Sequence, residues 1–358
     1  MFFKKKNFTC IDIGNHNIKV VNLNVDGEKL KLNDLAIKRI PNEIVKNGII
    51  IDYAIAGAEL KEVVNSMKNI SKNIITTIPN RDLLIREVEI PLMKDNEVKE
   101  SLKWEINDEL PYDVENAVFD YELVKKFKDK LKFMVIVVKK NILKNYLSIL
   151  EKANLKAKVV NIQPMALLSI LEYSNLLNNS EIIVDIGSFS SQITIGNKTE
   201  IFLSRTVDIG GINFTKILMD NKNLDYKTAE NEKHDLNLDT ELSEKNDYNL
   251  NLDAGINYNY QFVSSVNDLA SEINRSIEFV QMKNRELKFD NIYITGGGSK
   301  LSGLKDELGK NISQSLITLN NYKMINMNSK IEEQFRNNKA EFAVAIGLGI
   351  SEVMADED

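Results

Sequence analysis

Two short motifs of this sequence place an acidic residue and a glycine directly after an apolar run. Asp12–Asn15 (DIGN) follows one run, and Asp185–Ser188 (DIGS) follows another. A glycine lets the backbone approach a phosphate without a Cβ clash, and neighbouring N–H groups donate to the phosphate oxygens. A carboxylate at a strand end holds Mg²⁺, often through water. A single Asp-x-Gly is usually an ordinary β-turn, whereas the repeated pair predicts a phosphate clamp.

A third glycine motif, Gly296–Gly298, follows the apolar run NIYIT and precedes a helical segment. Consecutive glycines before a helix permit close passage of a nucleoside or phosphate at the helix N-terminus. Alone this motif is weak, because triple glycine also forms plain strand-to-helix loops. In the order DIG, DIG, GGG, the motifs resemble the two phosphate motifs and the adenosine motif of the actin, sugar-kinase and chaperone ATPase superfamily. The resemblance implies an α/β, actin-like fold of duplicated ribonuclease H-like domains.

The composition is that of a globular protein without a broad charged face. The chain has 358 residues, 43% of them hydrophobic, which fits two domains better than one. A net charge of -6 with interspersed signs argues against nucleic-acid binding and a polybasic membrane face. Asp12 interrupts the first apolar run too early for a signal peptide or spanning helix, so we expect a cytoplasmic protein. The single cysteine, Cys10, is expected to be a buried hydrophobe.

Strands and helices alternate around these motifs. The first motif opens a β meander, which is followed by a helix at 54–71 and a strand that Pro79 ends. Residues 81–150 have a plan of their own, strand, helix, strand, strand, helix, which we interpret as an inserted subdomain. The second motif then restarts the pattern. The polar tract 221–260 predicts exposed helices and loops, with a mobile stretch at 239–257.

Within the superfamily the chain resembles the FtsA/PilM family over nearly its whole length. The most specific stretch, EIPLMKDNEVKESLKWEINDELPYDVENAVFDYELV, has a Pro-x-Met turn, a helix carrying Glu97 and Glu105, then Pro111 and the pair Asp120–Tyr121. General actin-like proteins lack this segment. The resemblance implies subdomain 1A at 1–82, 152–178 and 339–358, an inserted subdomain 1C at 83–151, subdomain 2A at 179–216 and 290–338, and subdomain 2B at 217–289.

The resemblance also assigns roles to single residues. Asp12 and Asp185 hold Mg²⁺, through water, while Asp185 and Gln163 activate and orient the attacking water. Glu272 and Arg275, one helical turn apart, lie over the adenine and ribose. The residues implied to bind ATP or ADP are Asp12, Gly14, Asn15, Lys19, Gly187, Ser188, Gly210, Gly211, Lys233, Glu272, Arg275, Gly296, Gly297 and Gly298.

Two of these assignments have an alternative. Lys19 either approaches the terminal phosphates or is a solvated lysine on a strand. Gln163 either orients the attacking water or caps the helix that follows it.

The first loop departs from the family pattern. It continues as Asn15–Asn17 (NHN), where the family has small hydroxyl residues. Nucleotide binding is expected to survive this change and hydrolysis to slow. His16 is expected to be an exposed loop histidine without a role, and His234 a surface residue. We expect Trp104 to pack in the core rather than to contact a partner.

The resemblance implies a cytoplasmic, ATP-binding scaffold of the type IV pilus inner-membrane platform. Nucleotide would close the cleft, and a 1A/1C groove would bind the N-terminal tail of a PilN-like membrane protein. It further implies contacts with the pilus assembly ATPase and platform protein, self-association, attachment to the inner face of the membrane through partners, and at most slow ATPase activity. Two alternatives stay open. The first is an FtsA-like filament, which is less favoured because the sequence shows no C-terminal amphipathic helix. The second is a small-molecule kinase, which is less favoured because the inserted block shows no recognisable catalytic carboxylate.

Overall fold

The computed structural model describes residues 6–26, 29–236, 238, 258–320 and 322–355. The strands are β1 (Asn7–Ile13), β2 (Asn17–Asp26), β3 (Lys29–Arg39), β4 (Val45–Lys46), β5 (Ile49–Ile50), β6 (Ile74–Ile78), β7 (Leu83–Pro91), β8 (Ala117–Lys126), β9 (Lys130–Lys139), β10 (Ala157–Ile162), β11 (Glu181–Ile186), β12 (Ser191–Gly196), β13 (Ile201–Val207), β14 (Asn291–Thr295), β15 (Ser315–Thr318) and β16 (Ile325–Asn326). The helices are α1 (Tyr53–Ser66), α2 (Asp95–Asn107), α3 (Lys140–Lys152), α4 (Gln163–Tyr173), α5 (Gly211–Lys222), α6 (Tyr226–Asp235), α7 (Tyr258–Lys283), α8 (Leu304–Gly309), α9 (Ser329–Arg336) and α10 (Ala343–Ala355).

Two sheets repeat one topological plan. The first has the order β10-β6-β1-β2-β3-β16, and the second has the order β13-β12-β11-β14-β15. In each sheet an antiparallel meander (β1-β2-β3 or β11-β12-β13) is joined by parallel strands on the other side of its first strand. The predicted α/β fold of duplicated domains is therefore confirmed.

Helices cover both faces of the first sheet, which explains the nearly continuous apolar run of β1. Phe8 and Cys10 pack toward α4 and α10, while Ile11 and Ile13 pack toward α1 and α3. Cys10 is buried, as predicted, and burial raises the pKa of its thiol. The alternation fixes the register of β1 and so holds its last residues at the edge where the first glycine motif begins.

A separate sheet, β7-β9-β8, lies between β6 and β10 in the sequence. The helix α2 covers it with Val98, Leu102 and Ile106, which are spaced one turn apart. Trp104 follows Leu102 by two residues, about 200° around the helix, and so points away from this core. Its side chain is 74% exposed. The prediction that Trp104 packs in the core is wrong.

Some later segments return to the first sheet, and two of them, α3 and β16, lie outside the subdomain boundaries predicted for it from the sequence. β6 and β10 pair directly in parallel, so the chain leaves the first sheet after β6 and returns to it at β10. The helix α3, which the sequence assigned to the inserted block, packs with α1 in the core of the first sheet. The short strand β16 pairs with β3 of the first sheet. The chain thus reaches the first sheet at Ile325, before the boundary at 338 that the sequence suggested.

The polar tract contains the regular helix α6, on which His234 is exposed, as predicted. The predicted mobile stretch from Asp239 to Asn257 lies outside the described residues. Among the residues that are described, no helix combines the length and the apolar character that crossing a bilayer requires.

Candidate functional site

The two Asp-Ile-Gly motifs form matching hairpin turns at equivalent places in the two sheets. The N–H of Gly14 donates to the carbonyl of Asn17 at 3.1 Å, and that of Gly187 donates to Ser190 at 3.0 Å. Between the hairpins lies a cavity of about 500 Å³, which we call the cleft. The sequence-predicted residues that line it are Asp12, Gly14, Asn15, Lys19, Gln163, Asp185, Gly187, Ser188, Gly211, Lys233, Gly296, Gly297 and Gly298.

Asp12, which is buried, and Lys19, which is partly buried, form an ion pair on the first hairpin. They are cross-strand partners on β1 and β2, and Lys19 Nζ lies 2.6 Å from Asp12 Oδ2. Burial lowers the pKa of Lys19, but the charge of Asp12 and the hydrogen bond to it raise the pKa more, so the net shift is upward. Lys19 is therefore a charged lysine with its side chain only 14% exposed, and the solvated alternative is wrong. Its contact with phosphate stays a prediction.

Asp185 occupies the corresponding place on the second hairpin. Gln163, in the first turn of α4, donates from Nε2 to Asp185 Oδ2 at 2.8 Å. The residue before α4, Ile162, makes no side-chain cap, and the Gln163 amide is directed at the carboxylate instead. Burial raises the pKa of Asp185 to about 6; Lys19 opposes this shift, Asp12 adds to it, and Gln163 opposes it. The two carboxylates thus influence each other across the cleft, where a cation would stabilise both.

Asp185→Asn is expected to change how stability depends on pH. The pKa of Asp185 is raised from 3.8 to about 6, so between these values the folded chain keeps a proton that the unfolded chain releases. Stability is therefore lost as pH rises from about 4 to about 6, and the variant lacks this loss. Urea unfolding across this window should show the variant gaining stability relative to the wild type as pH rises. A difference that does not vary with pH would contradict the prediction.

The glycine motifs pack closely around the second hairpin. A Cβ on Gly210 would lie 2.7 Å from the carbonyl oxygen of Ser188. The N–H of Gly211 donates to the carbonyl of Gly187 at 3.0 Å, so α5 begins directly on this hairpin. A Cβ on Gly298 would lie 2.7 Å from Cγ2 of Ile186. Gly210 therefore packs against the backbone of Gly187–Ser190 and does not line the cleft, whereas Gly211 and Gly298 do line it.

On the α6 side, the cleft is lined by a buried polar cluster. Lys233 Nζ donates to Thr215 Oγ1 at 3.0 Å and to Glu230 Oε1 at 2.6 Å. Burial lowers the pKa of Lys233 despite the opposing charge of Glu230. A nearby anion would stabilise the charged form of this amine. The predicted role of Lys233 in cofactor binding remains to be tested.

Glu272 and Arg275 do not line the cleft. Glu272 forms ion pairs with Arg205 of β13 at 2.5 Å and with Arg275 at 3.0 Å. The structure thus places this predicted adenine and ribose pair against the edge of the second sheet. Its role in nucleotide binding stays a prediction.

Other cleft residues were overlooked or misjudged from the sequence. His16 is half-buried in the cleft, so the prediction of an exposed histidine is wrong; burial and the charge of Arg39 lower its pKa. Glu341 accepts from Asn17 at 3.1 Å and from Lys300 at 2.9 Å, and so joins the first hairpin to the loop after the glycine triplet. No motif marks Glu341 in the sequence.

The β4-β5 hairpin was also overlooked. Its turn is Asn47-Gly48, with positive φ at both residues, and Asn-Gly is a strong hairpin signal. A Cβ on Gly48 would lie 2.9 Å from Cβ of Phe189 in the second hairpin. This turn therefore lies against the opposite side of the cleft.

Solved structures with a similar fold cover almost all of the chain. The PilM-PilN type IV pilus biogenesis complex matches with a TM-score of 0.81 and 23% identity, over 96% of this chain and 98% of that chain. The ethanolamine utilization protein EutJ from Carboxydothermus hydrogenoformans matches with a TM-score of 0.57 and 15% identity, over 98% and 90%. MreB 5 of Spiroplasma citri, bound to AMPPNP, matches with a TM-score of 0.51 and 14% identity, over 98% and 97%. The fold is thus actin-like.

The sequence itself matches a family model over almost its full length. The model for type IV pilus assembly protein PilM matches residues 10–353, which include all three glycine motifs and the β7-β9-β8 sheet. The chain belongs to the PilM family of type IV pilus assembly proteins.

Proposed function

We propose that this chain is a cytoplasmic, ATP-binding scaffold that holds the N-terminal tail of a PilN-like membrane protein in the type IV pilus machinery. The observation that carries the proposal is the pair of matching hairpins, each with an aspartate at its strand end, on opposite sides of one cleft. Such a pair presents backbone N–H groups and carboxylates to the same ligand from two directions. In a magnesium-bound polyphosphate, the phosphate oxygens match the N–H groups and the magnesium ion matches the carboxylates.

The donor set of the cleft fits a hydrated magnesium ion bound to nucleotide. Asp12 and Asp185 supply carboxylate oxygens, and the described residues contain no group of three or more His, Cys, Asp or Glu arranged to hold a metal by themselves. The other ligand positions would fall to water and to phosphate, as is common for Mg²⁺. When bound, the ion would neutralise phosphate charge. Lys19 and the N–H groups of both hairpins would orient the phosphates.

The cleft fits slow hydrolysis better than fast turnover. Gln163 is held on Asp185, so that both could orient a water molecule near the terminal phosphate. The first loop carries Asn15, His16 and Asn17, without the hydroxyl groups that the family uses there. Nucleotide would therefore act mainly by favouring one arrangement of the two halves over another.

The proposed partner site involves the β7-β9-β8 sheet. The solved relative was captured as a PilM-PilN complex. Here that sheet packs against the first half, because Val138 of β9 lies in the same core as α1 and α3. We propose that the PilN-like tail binds at this junction between the inserted sheet and the first half. Binding of the tail would keep the chain at the inner face of the cytoplasmic membrane.

The test is thermal and calorimetric titration with MgATP, MgADP and a synthetic PilN-like tail peptide. A ligand that binds only the folded chain stabilises it by about 2.7 kcal/mol at a hundredfold excess over Kd. We expect stabilisation by each nucleotide and by the tail, and none by adenosine or by a scrambled peptide. The absence of any nucleotide effect would refute the assignment of the cleft. The absence of any tail effect, with or without nucleotide, would refute the scaffold.

A further inference from the structure

Four polar side chains from both halves of the molecule form a closed ring of hydrogen bonds. Ser204 Oγ donates to Asn80 Oδ1 at 2.7 Å, and Asn80 Nδ2 donates to Thr206 Oγ1 at 3.3 Å. Thr206 Oγ1 donates to Gln192 Oε1 at 3.0 Å, and Gln192 Nε2 donates to Ser204 Oγ at 3.0 Å. Each member donates once and accepts once, so the ring runs head to tail.

The ring is built to hold a fixed geometry. Asn80 and Gln192 are 7% and 5% exposed, so water competes little for their amides. Hydrogen bonds that run head to tail polarise one another and strengthen the set. Loss of the Ser204 hydroxyl would remove two of the four bonds and leave Asn80 Oδ1 without its donor, while Gln192 Nε2 would keep only its 3.3 Å contact with the carbonyl of Ile193. Substitution of any one member is therefore expected to weaken the whole ring.

One side of the ring reaches the second phosphate hairpin. Gln192 lies on β12 directly opposite Asp185 of β11, in the register of that antiparallel pair. Thr206 lies opposite Gln192 on β13. A displacement of Asp185 along or across its strand therefore carries Gln192 with it.

The other side of the ring reaches the start of the inserted sheet. Asn80 lies in a short 3-10 helix that follows β6 and ends at Asp82, and β7 begins at Leu83. The neighbouring Arg81 forms an ion pair with Asp208, but both side chains are exposed, so solvent screens that contact. The ring, whose two amides are buried, is thus better shielded from solvent than this ion pair.

We propose that Asn80, Gln192, Ser204 and Thr206 are positioning residues that couple the second phosphate hairpin to the β7-β9-β8 sheet. Nucleotide in the cleft shifts the hairpin, and the ring transmits that shift to β7. The inference rests on the proposed nucleotide binding and extends it, since it names the connection through which the cleft influences the proposed partner site. The ring joins the cleft to this sheet without passing through the first hairpin.

Ser204 is the best residue for the test, because it completes the ring but does not line the cleft. Ser204→Ala removes the hydroxyl, and Ser204→Thr keeps it. The matched control is Ser351→Ala, which removes the 2.8 Å hydrogen bond between Ser351 and Asn161, both in the first half. Calorimetry gives the affinity of each variant for MgATP. Amide hydrogen exchange of β7 and β9, with and without MgATP, gives the response of the inserted sheet.

We expect MgATP to change the exchange rates of β7 amides by about fivefold or more in the wild type, in Ser204→Thr and in Ser351→Ala. Ser204→Ala should bind MgATP within about threefold of the wild type, yet change these rates by less than about twofold. A response in Ser204→Ala equal to that of the wild type would overturn the inference. So would a wild type that binds MgATP without any response in β7, and both results leave nucleotide binding intact. Failure of the wild type to bind nucleotide would instead refute the proposed function.

Discussion

Asp12→Ala is expected to destabilise the chain by about 3 kcal/mol and to weaken MgATP binding by about 10- to 100-fold. Asp12 is buried and pairs at 2.6 Å with Lys19, whose side chain is only 14% exposed. Removal of the carboxylate leaves an ammonium group away from water without its partner, which costs more than the pair itself contributes. It also removes a predicted ligand of the magnesium hydration shell. Urea unfolding and titration with MgATP measure the two effects separately.

The double variant Asp12→Ala, Lys19→Met separates the ion pair from the ligand site. Because it removes both charges, we expect it to recover most of the lost stability. It should not recover MgATP binding, since the carboxylate is still absent. If Asp12→Ala bound MgATP as tightly as the wild type, the assignment of the first hairpin would be wrong. If the double variant were as unstable as Asp12→Ala, burial of an unpaired lysine would not be the cause.

Gly296→Ala is expected to destabilise the chain by about 3 kcal/mol or more and to distort the second hairpin. Gly296 has a φ of 88°, which an L side chain rarely adopts. Its added Cβ would lie 2.2 Å from Oδ1 of Asp185 and 2.4 Å from the carbonyl oxygen of Ile186. Since neither the backbone nor the carboxylate can withdraw without losing its contacts, the hairpin must shift. Thermal unfolding and MgATP titration should both report the change.

The neighbouring glycine provides the control. A Cβ on Gly297 would meet only the side chain of Glu341, at 3.5 Å from Cγ, which is an ordinary contact distance. Gly297→Ala should therefore change stability by less than about 0.5 kcal/mol. Equal destabilisation by the two substitutions would contradict the clash with Asp185 as the cause, because Gly297→Ala meets no such clash.

The frame of the fold was predictable from the sequence because its signals are local. Runs of Ile and Val predict the buried strands β1 and β11, and the Asp-x-Gly motif that follows each run marks the turn at the end of the strand. The two aspartates were predictable for the same reason, since a repeated fold brings equivalent strand ends together.

The errors concern which way a side chain points. Trp104 lies on an amphipathic helix, but hydrophobicity alone did not show that the stripe of Val98, Leu102 and Ile106 already covers the sheet. His16 lies in a loop, yet it is half-buried in the cleft near Arg39 of β3 and Glu230 and Lys233 of α6. Both depend on contacts between segments distant in the sequence.

The missed features have no periodicity to reveal them. β16 is a strand of two residues, and its pairing with β3 is set by the surrounding core. The hydrogen-bond ring joins Asn80 to residues more than a hundred positions away, so no local pattern announces it. Asn47-Gly48 is different, because its turn signal was present and was overlooked.

The exposed position of Trp104 has a practical consequence. It is the only tryptophan of the chain, and it lies on α2 above the inserted sheet. Its fluorescence therefore comes from a single place in the molecule and should resemble that of indole in water. A partner that covers α2 would shift the emission to shorter wavelengths and shield it from quenchers. The chain thus carries its own optical reporter, which needs no dye, on the exposed face of α2.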